Sequence, residues 1–536
     1  MQLEAQELLD LRHAEAASLE SDMEQESPDE PSPPDLSSSS DEEEEEKALA
    51  PAWTEGSRDV RVPPFDAPTG KQHGARRAQS PLDFLQLFLP PGLVQQWADY
   101  TNDYAQQRGA ERGWRTTAAE LYAFLGVHTY MAICTLPQWH MYWSHEYQQP
   151  FVASVFPRWR FEQLLRYFHV APPPPAAAVA DPLSRVRPLI QSLQQSFARH
   201  YLPGRDIALD EAIAAFKGRS PIKQYIPSKP HKWGYKMYCL ASDDYVLHFE
   251  VYEGKEDHPT AHGATYDTVM RMVAGFEHKQ HVLYIDSYFT SPDLLAALKQ
   301  RGILCCGSVR RNRRGMPPIT KEQVRRLGKG EWIKRQQGGT NLAVWKDQKD
   351  VWILYNHTSP LNAATLDRWD DSGHKVSIGC PQAVHDYFFK ARSVDVSNQL
   401  HYSYPTGRKA MRAWPRLAWW LIDISIVNAF KLWSIGKDHP KQLGFREQLM
   451  HALVKLFGSN REAVQASRGT NASVALAQEH YSVQSEEERD CKQCSVRPNN
   501  RTQTRFICAK CAAFMHRQML CSLSQTLLVV SILTIQ

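Results

Sequence analysis

Asp210-Glu-Ala-Ile-Ala-Ala-Phe-Lys-Gly-Arg219 opens the stretch that decides the fold, and Lys223-Gln-Tyr-Ile-Pro227, Lys229-Pro230 and Lys232-Trp-Gly234 continue it. The apolar run 207–209 leads into Asp210, and basic and aromatic residues follow. A short apolar run bounded by polar residues predicts a buried strand, which places Asp210 at the end of the strand. Outward from there, 236–241 and 245–252 read as two more strands, separated by the turn-forming Ser242-Asp243-Asp244. Tyr266, Val269, Met270 and Val273 fall at helical spacing, and 281–285 is an apolar strand ending at Asp286. Leu294, Leu295 and Leu298 predict a helix stopped by Gly302, and 303–307 is a fifth strand. Three strands followed by helix, strand, helix, strand is a mixed α/β order with a parallel portion.

Beyond the fifth strand, 310–380 holds turns and short strand-like runs at 341–345 and 351–355, the pattern of an inserted β-rich subdomain. Helical signal returns at 393–400 and 416–433, with Asp395 near the start of the first segment, so 381–475 reads as the end of the core and a helical return. Upstream, 81–203 is rich in helix formers and aromatic residues; Leu82, Leu85, Phe88 and Leu89 begin it. The break Pro172-Pro-Pro-Pro-Ala-Ala-Ala precedes a helix carrying Val186, Leu189, Ile190, Leu193 and Phe197, which Pro203-Gly204 ends. The first part of the α/β core then spans 204–309.

The net charge of +3 over 536 residues hides an asymmetry. Residues 1–46 carry 17 acidic residues against the single basic Arg12, a net of −16, so the remainder carries +19. A chain so acidic and poor in aromatic residues cannot bury enough apolar surface to order itself, and 1–80 reads as a disordered tail. The basic body favours a polyanionic partner such as nucleic acid. Five of the ten cysteines crowd into the last fifty residues, a metal-binding spacing rather than a disulfide framework. No signal peptide opens the chain, and its longest apolar run, near 527–533, is short of the roughly 20 residues that cross a bilayer. These features point to the cytosol or nucleus and to no membrane partner.

Asp210, Asp286 and Asp395 each begin or end an element next to apolar residues, and a charge at the mouth of a buried strand needs a partner. Three carboxylates from separate elements can hold the two divalent cations, roughly 3.5–4 Å apart, that phosphodiester transfer uses. Hard oxygen donors select Mg²⁺ or Mn²⁺. Lys217, Arg219, Lys223, Lys229, Lys232 and Lys236, interleaved with Tyr225 and Trp233, can neutralise phosphates and stack on bases, and Arg310, Arg311, Arg313 and Arg314 form a second patch. Cys491-x2-Cys494, thirteen residues, then Cys508-x2-Cys511 is a spacing that closes four thiolates around Zn²⁺ within a module at 487–521, followed by an apolar tail at 522–536.

The 210–234 string resembles the signature of piggyBac-type transposases. Thr101-Asn-Asp-Tyr-Ala105, Leu136-Pro137, Tyr142-Trp-Ser144, Arg160-Phe161, Ile285-Asp-Ser-Tyr-Phe-Thr-Ser291, Gly307-Ser-Val-Arg-Arg-Asn-Arg313, Val394-Asp395, Gln399, Trp414-Pro415 and Asn428-Ala429 extend the resemblance over about 82–435. It implies a ribonuclease-H-like core with an insertion, flanked by helices for dimerisation and DNA binding. It makes Asp210, Asp286 and Asp395 the catalytic metal ligands. The implied chemistry is cleavage at transposon ends, a DNA hairpin intermediate and insertion at TTAA, by a nuclear homodimer on double-stranded DNA. His516 and Cys521 resemble further ligands of the family's two-zinc module, of which six candidates stand here. Where the family has a Gly pair before the third Asp and another Asp three residues after it, this chain has Arg392-Ser393 and Asn398. Two other readings accompany the transposase: a domesticated DNA- or chromatin-binding descendant, and a nuclease of RNA–DNA hybrids.

Overall fold

The computed structural model describes residues 52–55, 58–60, 62–172, 181–227, 229–254, 261–369, 373–407 and 413–466, and two paired strands at Ser482–Asp490 and Gln503–Cys508. The chain forms two compact units, one gathering residues up to 77, 191–401 and 409–432, the other 78–190, 402–408 and 433 onward.

The first unit is built on β1 (Asp206–Ala215), β2 (Trp233–Ser242), β3 (Tyr245–Val251), β4 (Val282–Ile285) and β5 (Leu304–Ser308). They lie side by side in the order β3-β2-β1-β4-β5. β1, β4 and β5 are parallel, while β2 and β3 run antiparallel to their neighbours. The β2–β3 turn puts Asp243 and Asp244 at φ 50° and 63°, the left-handed pair a two-residue hairpin needs and an Asp tolerates. β4 is Val-Leu-Tyr-Ile, buried throughout, as a strand covered on both faces must be. On one face Ala208, Val282, Tyr284, Leu304 and Cys306 share a core with Ala383, Val384 and Tyr387 of α3 (Gln382–Lys390). The connections between the parallel strands carry α1 (Ala264–Met272) and α2 (Pro292–Gln300), the latter packing buried Leu294, Leu295 and Leu298 beside β5. The strand and helix order read from the sequence is thus the order observed.

The segment after β5 stays in the same sheet. β6 (Trp332–Gln337), β7 (Thr340–Lys346) and β8 (Asp350–Tyr355) form a meander whose β8 pairs antiparallel with β5, Tyr355 opposite Cys306. Within this segment β9 (Ala363–Trp369) and β10 (Lys375–Pro381) leave the sheet and pair with each other as a separate ribbon. Residues 1–51, most of the expected tail, lie outside the described residues. Farther along, Thr54 bridges Gln336 of β6, the Trp53 indole donates to the Gly315 carbonyl at 2.8 Å, and Gly70–Lys71 pairs with Tyr201–Leu202. Trp53, Val62 and Phe65 give this part of the chain the apolar anchors that the acidic run lacks.

α4 (Ser393–Ser403) and α5 (Ala413–Ser434) complete the unit. Fully buried Asn428 of α5 treats β3 as a strand would: its Oδ1 accepts from the Val246 N–H and its Nδ2 donates to the Val246 carbonyl, both at 2.9 Å. An Asn428→Ala chain is expected to lose about 2–4 kcal/mol, because both groups of Val246 are left unpaired in a dry site. Urea unfolding of the two chains measures the difference.

The second unit is helical. Ser80 starts it with a capping box, accepting from the Asp83 N–H while the Asp83 carboxylate accepts from Ser80. Its central helix, Ala118–Ile133, is buried on all sides, and Gln442–Ala466 packs along it. The two cross closely at Gly126, where a Cβ would lie 3.1 Å from Leu453 Cβ and 3.2 Å from the Met450 carbonyl. Glu120 in the first turn is held by Nε and Nη2 of Arg160, at 2.7 and 2.6 Å, and by the Thr116 hydroxyl at 2.7 Å. No helix among the described residues is long and apolar enough to cross a membrane.

Candidate active site

The parallel pairing of β1 with β4 ends at Leu209 and Ile285, and the next residues on the two strands are Asp210 and Asp286. Open sheets bind ligands just beyond the carboxyl ends of their parallel strands, which is where both carboxylates emerge. β1 continues past this point, paired with β2 alone as far as Ala215. Glu211 joins the two aspartates: one carboxylate oxygen from each of Asp210, Glu211 and Asp286 lies within 4.8 Å of the others. Among the described residues this is the one cluster of three or more His, Cys, Asp or Glu ligand atoms so close together. Asp210 and Glu211 keep 16% and 12% of their side-chain surface exposed, so water reaches the site but solvates it poorly.

Each acid is held. Asp210 Oδ1 accepts from the Glu211 N–H at 2.7 Å, and Asp286 Oδ1 accepts from the Tyr288 N–H at 3.1 Å. The Thr290 hydroxyl donates to the Asp286 carbonyl at 2.7 Å, and Thr290 in turn is seated over Gly307 of β5, where a Cβ would come within 2.3 Å of its hydroxyl oxygen. Glycine at 307 therefore lets the segment carrying Asp286 lie flat on the sheet. Arg313 donates to the backbone carbonyls of Ser287 and Tyr288, fixing the same segment from the other side.

Burial, and next the negative charges of Glu211 and Asp210, push the Asp286 carboxyl well above the usual carboxylate range. Glu211 is raised by burial and then by Asp210, with Lys229 pulling the other way. Crowded, partly dehydrated carboxylates want a cation. Their hard oxygens and mutual spacing fit Mg²⁺ or Mn²⁺ better than a thiolate- or imidazole-preferring ion.

Asp395 sits half-buried in the first turn of α4 and is not one of the three converging acids. Ser393, two residues earlier, accepts from the Asp244 N–H at 2.7 Å. That ties the start of α4 to the β2–β3 turn, next to Asp206, the first residue of β1 and four residues before Asp210. Glu211 was missed by sequence reasoning, although an acid adjacent to Asp210 was the available signal.

The basic residues divide by position. The loop after β1 ends at Lys232, because Trp233 and Lys236 already belong to β2. Lys217, Arg219, Lys232 and Trp233 are exposed, and Trp233 stands against Tyr225 with ring centroids 4.6 Å apart. Lys223 donates to the Gly218 carbonyl at 2.8 Å and lies over the Trp233 ring, while Lys236 lies over Tyr238 and Tyr288. Lys229 reaches the acids, 3.4 Å from Asp210 and 3.6 Å from Glu211. Arg310, Arg311 and Arg314 are exposed, whereas Arg313 serves the Asp286 segment. Of the expected zinc ligands, Cys491, Cys494, Cys511, His516 and Cys521 lie outside the described residues, and Cys508 is described in its backbone alone, as the last residue of a strand.

A mixed sheet with acids gathered where two of its parallel strands part, flanked by basic loops, suits a polynucleotide-processing protein. A family model described as Transposase IS4 matches residues 80–430, and the chain belongs to this transposase family, in its piggyBac branch. The human piggyBac transposable element-derived protein 5 is 24% identical over 427 residues, covering 75% of this chain and 80% of its own. The human piggyBac transposable element-derived protein 3 is 23% identical over 455 residues, covering 82% and 75%. In fold the chain is similar to a piggyBac transposase solved by cryo-electron microscopy as a synaptic complex with hairpin DNA, with a TM-score of 0.64 at 21% identity, covering 84% of this chain and 98% of that one.

Proposed function

We propose that this chain is a metal-dependent DNA transposase that cuts and joins phosphodiester bonds at the ends of its element and at TTAA targets. The observation that carries the reading is the convergence of Asp210, Glu211 and Asp286 where the parallel pairing of β1 with β4 ends. In this reading the strand order β3-β2-β1-β4-β5 is that of a ribonuclease-H-like core. Asp210 and Asp286 hold divalent cations, with Glu211 beside them and Asp395 as the third acid brought by α4. Bound Mg²⁺ or Mn²⁺ would activate the attacking oxygen and stabilise the leaving one. The chain's own part is to fix the acids and to grip the backbone: Lys217, Arg219, Lys232, Arg310 and Arg311 offer exposed charge to phosphates, and Trp233 a face for a displaced base. Lys223, Lys229 and Lys236 lie inward of that surface, and Arg313 acts on it by holding the Asp286 segment. The proposal includes a homodimer, action in the nucleus without a membrane partner, and a zinc module formed by Cys491, Cys494, Cys508 and Cys511, with His516 and Cys521 as further ligands.

A second reading, a domesticated protein that binds DNA or chromatin without transposing, is favoured by one observation: Asp395 stands outside the converging trio. One experiment separates the two. The full chain is incubated with Mg²⁺ and DNA carrying the terminal inverted repeats and TTAA flanks of its own locus, and hairpin and joined products are resolved on denaturing gels. Product formation supports the transposase; DNA binding without any cleavage leaves only the second reading.

A further inference from the structure

Lys229 differs from the other basic residues of the 217–236 stretch in what its ammonium meets. Lys217 and Lys232 face water, Lys223 is engaged by a carbonyl and an indole, and Lys236 by two phenol rings. Lys229 lies between two acids of the proposed metal site, with 15% of its side chain exposed. Its position is built. Gln224 and Tyr225 pair with Gly234 and Trp233, and the Ile226 N–H donates to the Lys232 carbonyl at 2.8 Å, which closes the loop that carries it. Within that loop the Lys229 N–H donates to the Ile226 carbonyl, and Pro230 restricts Lys229 to an extended backbone. A long, flexible side chain on a fixed backbone can hold a charge at one point and still withdraw it.

We infer that Lys229 is the resident counter-cation of the carboxylate site, a positioning residue whose ammonium holds Asp210 and Glu211 until a divalent ion takes its place. The inference rests on the metal site proposed above. With all three carboxylates ionised, as a bound divalent ion requires, one ammonium leaves a charge of −2, which still attracts such an ion. Two divalent ions, however, carry enough charge for these acids and Asp395 together, and leave no demand for a further cation. Metal entry must therefore expel Lys229, and Lys229 weakens metal binding while it prevents the acids from repelling one another beforehand. The expelled ammonium is then free to meet a phosphate.

Mn²⁺ binding to the full chain, counted by electron paramagnetic resonance, tests this with Lys229→Gln, Lys229→Arg and Asp286→Ala. Lys229→Gln is expected to bind Mn²⁺ about tenfold more tightly or better, since a unit charge within 4 Å of two ligands is removed. Lys229→Arg keeps the charge and is expected to stay within about threefold of the wild type. On the unaltered chain, Mn²⁺ is expected to raise the rate at which an amine-reactive ester acetylates Lys229, read by peptide mass spectrometry, and this measurement decides the matter if Lys229→Gln does not fold. Equal Mn²⁺ affinity in Lys229→Gln and wild type overturns the inference, as does Lys229 labelling that ignores Mn²⁺. Loss of DNA affinity with unchanged Mn²⁺ affinity makes Lys229 a plain phosphate contact and also overturns it. If wild type and Asp286→Ala bind Mn²⁺ equally weakly, it is the underlying metal site that fails.

Discussion

Asp286→Ala is expected to reduce DNA cleavage by about 10³-fold or more while leaving DNA affinity almost unchanged, because in the proposed site the lost group is a cation ligand and not a contact to the backbone. Cleavage rates at saturating protein, measured beside a filter-binding isotherm, check both halves of the expectation. The same position carries an opposite effect on the fold. The Asp286 carboxyl is raised by burial and by its acidic neighbours, so its ionised form is disfavoured in the folded chain. Such a group costs stability progressively as pH climbs from the unfolded carboxylate value through the higher folded one. Asp286→Asn should accordingly raise the urea midpoint near neutral pH without added metal, and the gain should vanish in acid, where wild type is protonated as well. Together the two outcomes would make the proposed site a compromise between stability and activity.

Glu120→Ala should cost the helical unit about 3–5 kcal/mol, since it strands the Arg160 guanidinium where Glu120 and the Arg115 carbonyl now hold it. The Thr116 hydroxyl loses its acceptor in the same step. Trp114 reports the event directly: its ring lies under Arg160, 4.8 Å from the guanidinium carbon, and its indole donates to Gln163. Urea unfolding followed by tryptophan emission should show an earlier transition, and replacing Glu120 and Arg160 together by Met should recover a large part of the loss. Equal midpoints for Glu120→Ala and wild type would mean that the pair contributes nothing.

Those two positions also illustrate what a sequence discloses. Asp286 was legible because a strand buried on both faces must be apolar to its end, so the first acid after 282–285 marks where the sheet stops. Arg160 was legible as part of a helical region and as a match to a family, but charge alone does not reveal whether a partner is outside or inside the molecule. Here it is inside. Lys229 and Arg313, both read as DNA contacts, likewise have partners within the chain that their charge did not announce: one meets carboxylates and the other backbone carbonyls. Glu211 was hidden for a different reason. Neighbours on a strand point to opposite faces, and its convergence with Asp210 comes at the point where β1 has lost β4 as a partner. The short apolar runs at 341–345 and 351–355 announced strands, yet their attachment to β5 is a long-range pairing that a local pattern cannot express.

That attachment has an evolutionary and practical meaning. The chain leaves β5 at Val309, whose N–H donates to the Trp352 carbonyl, and returns on α3, where the Tyr387 hydroxyl donates to Ser308. Departure and arrival are thus neighbours, and the excursion between them is a closed detour. Lengthening such a detour costs little, about 0.6 kcal/mol for each doubling. The lineage can therefore remodel the ribbon of β9 and β10, and an engineer can splice a reporter or a targeting module into its turn, with the acids of the central strands left in register.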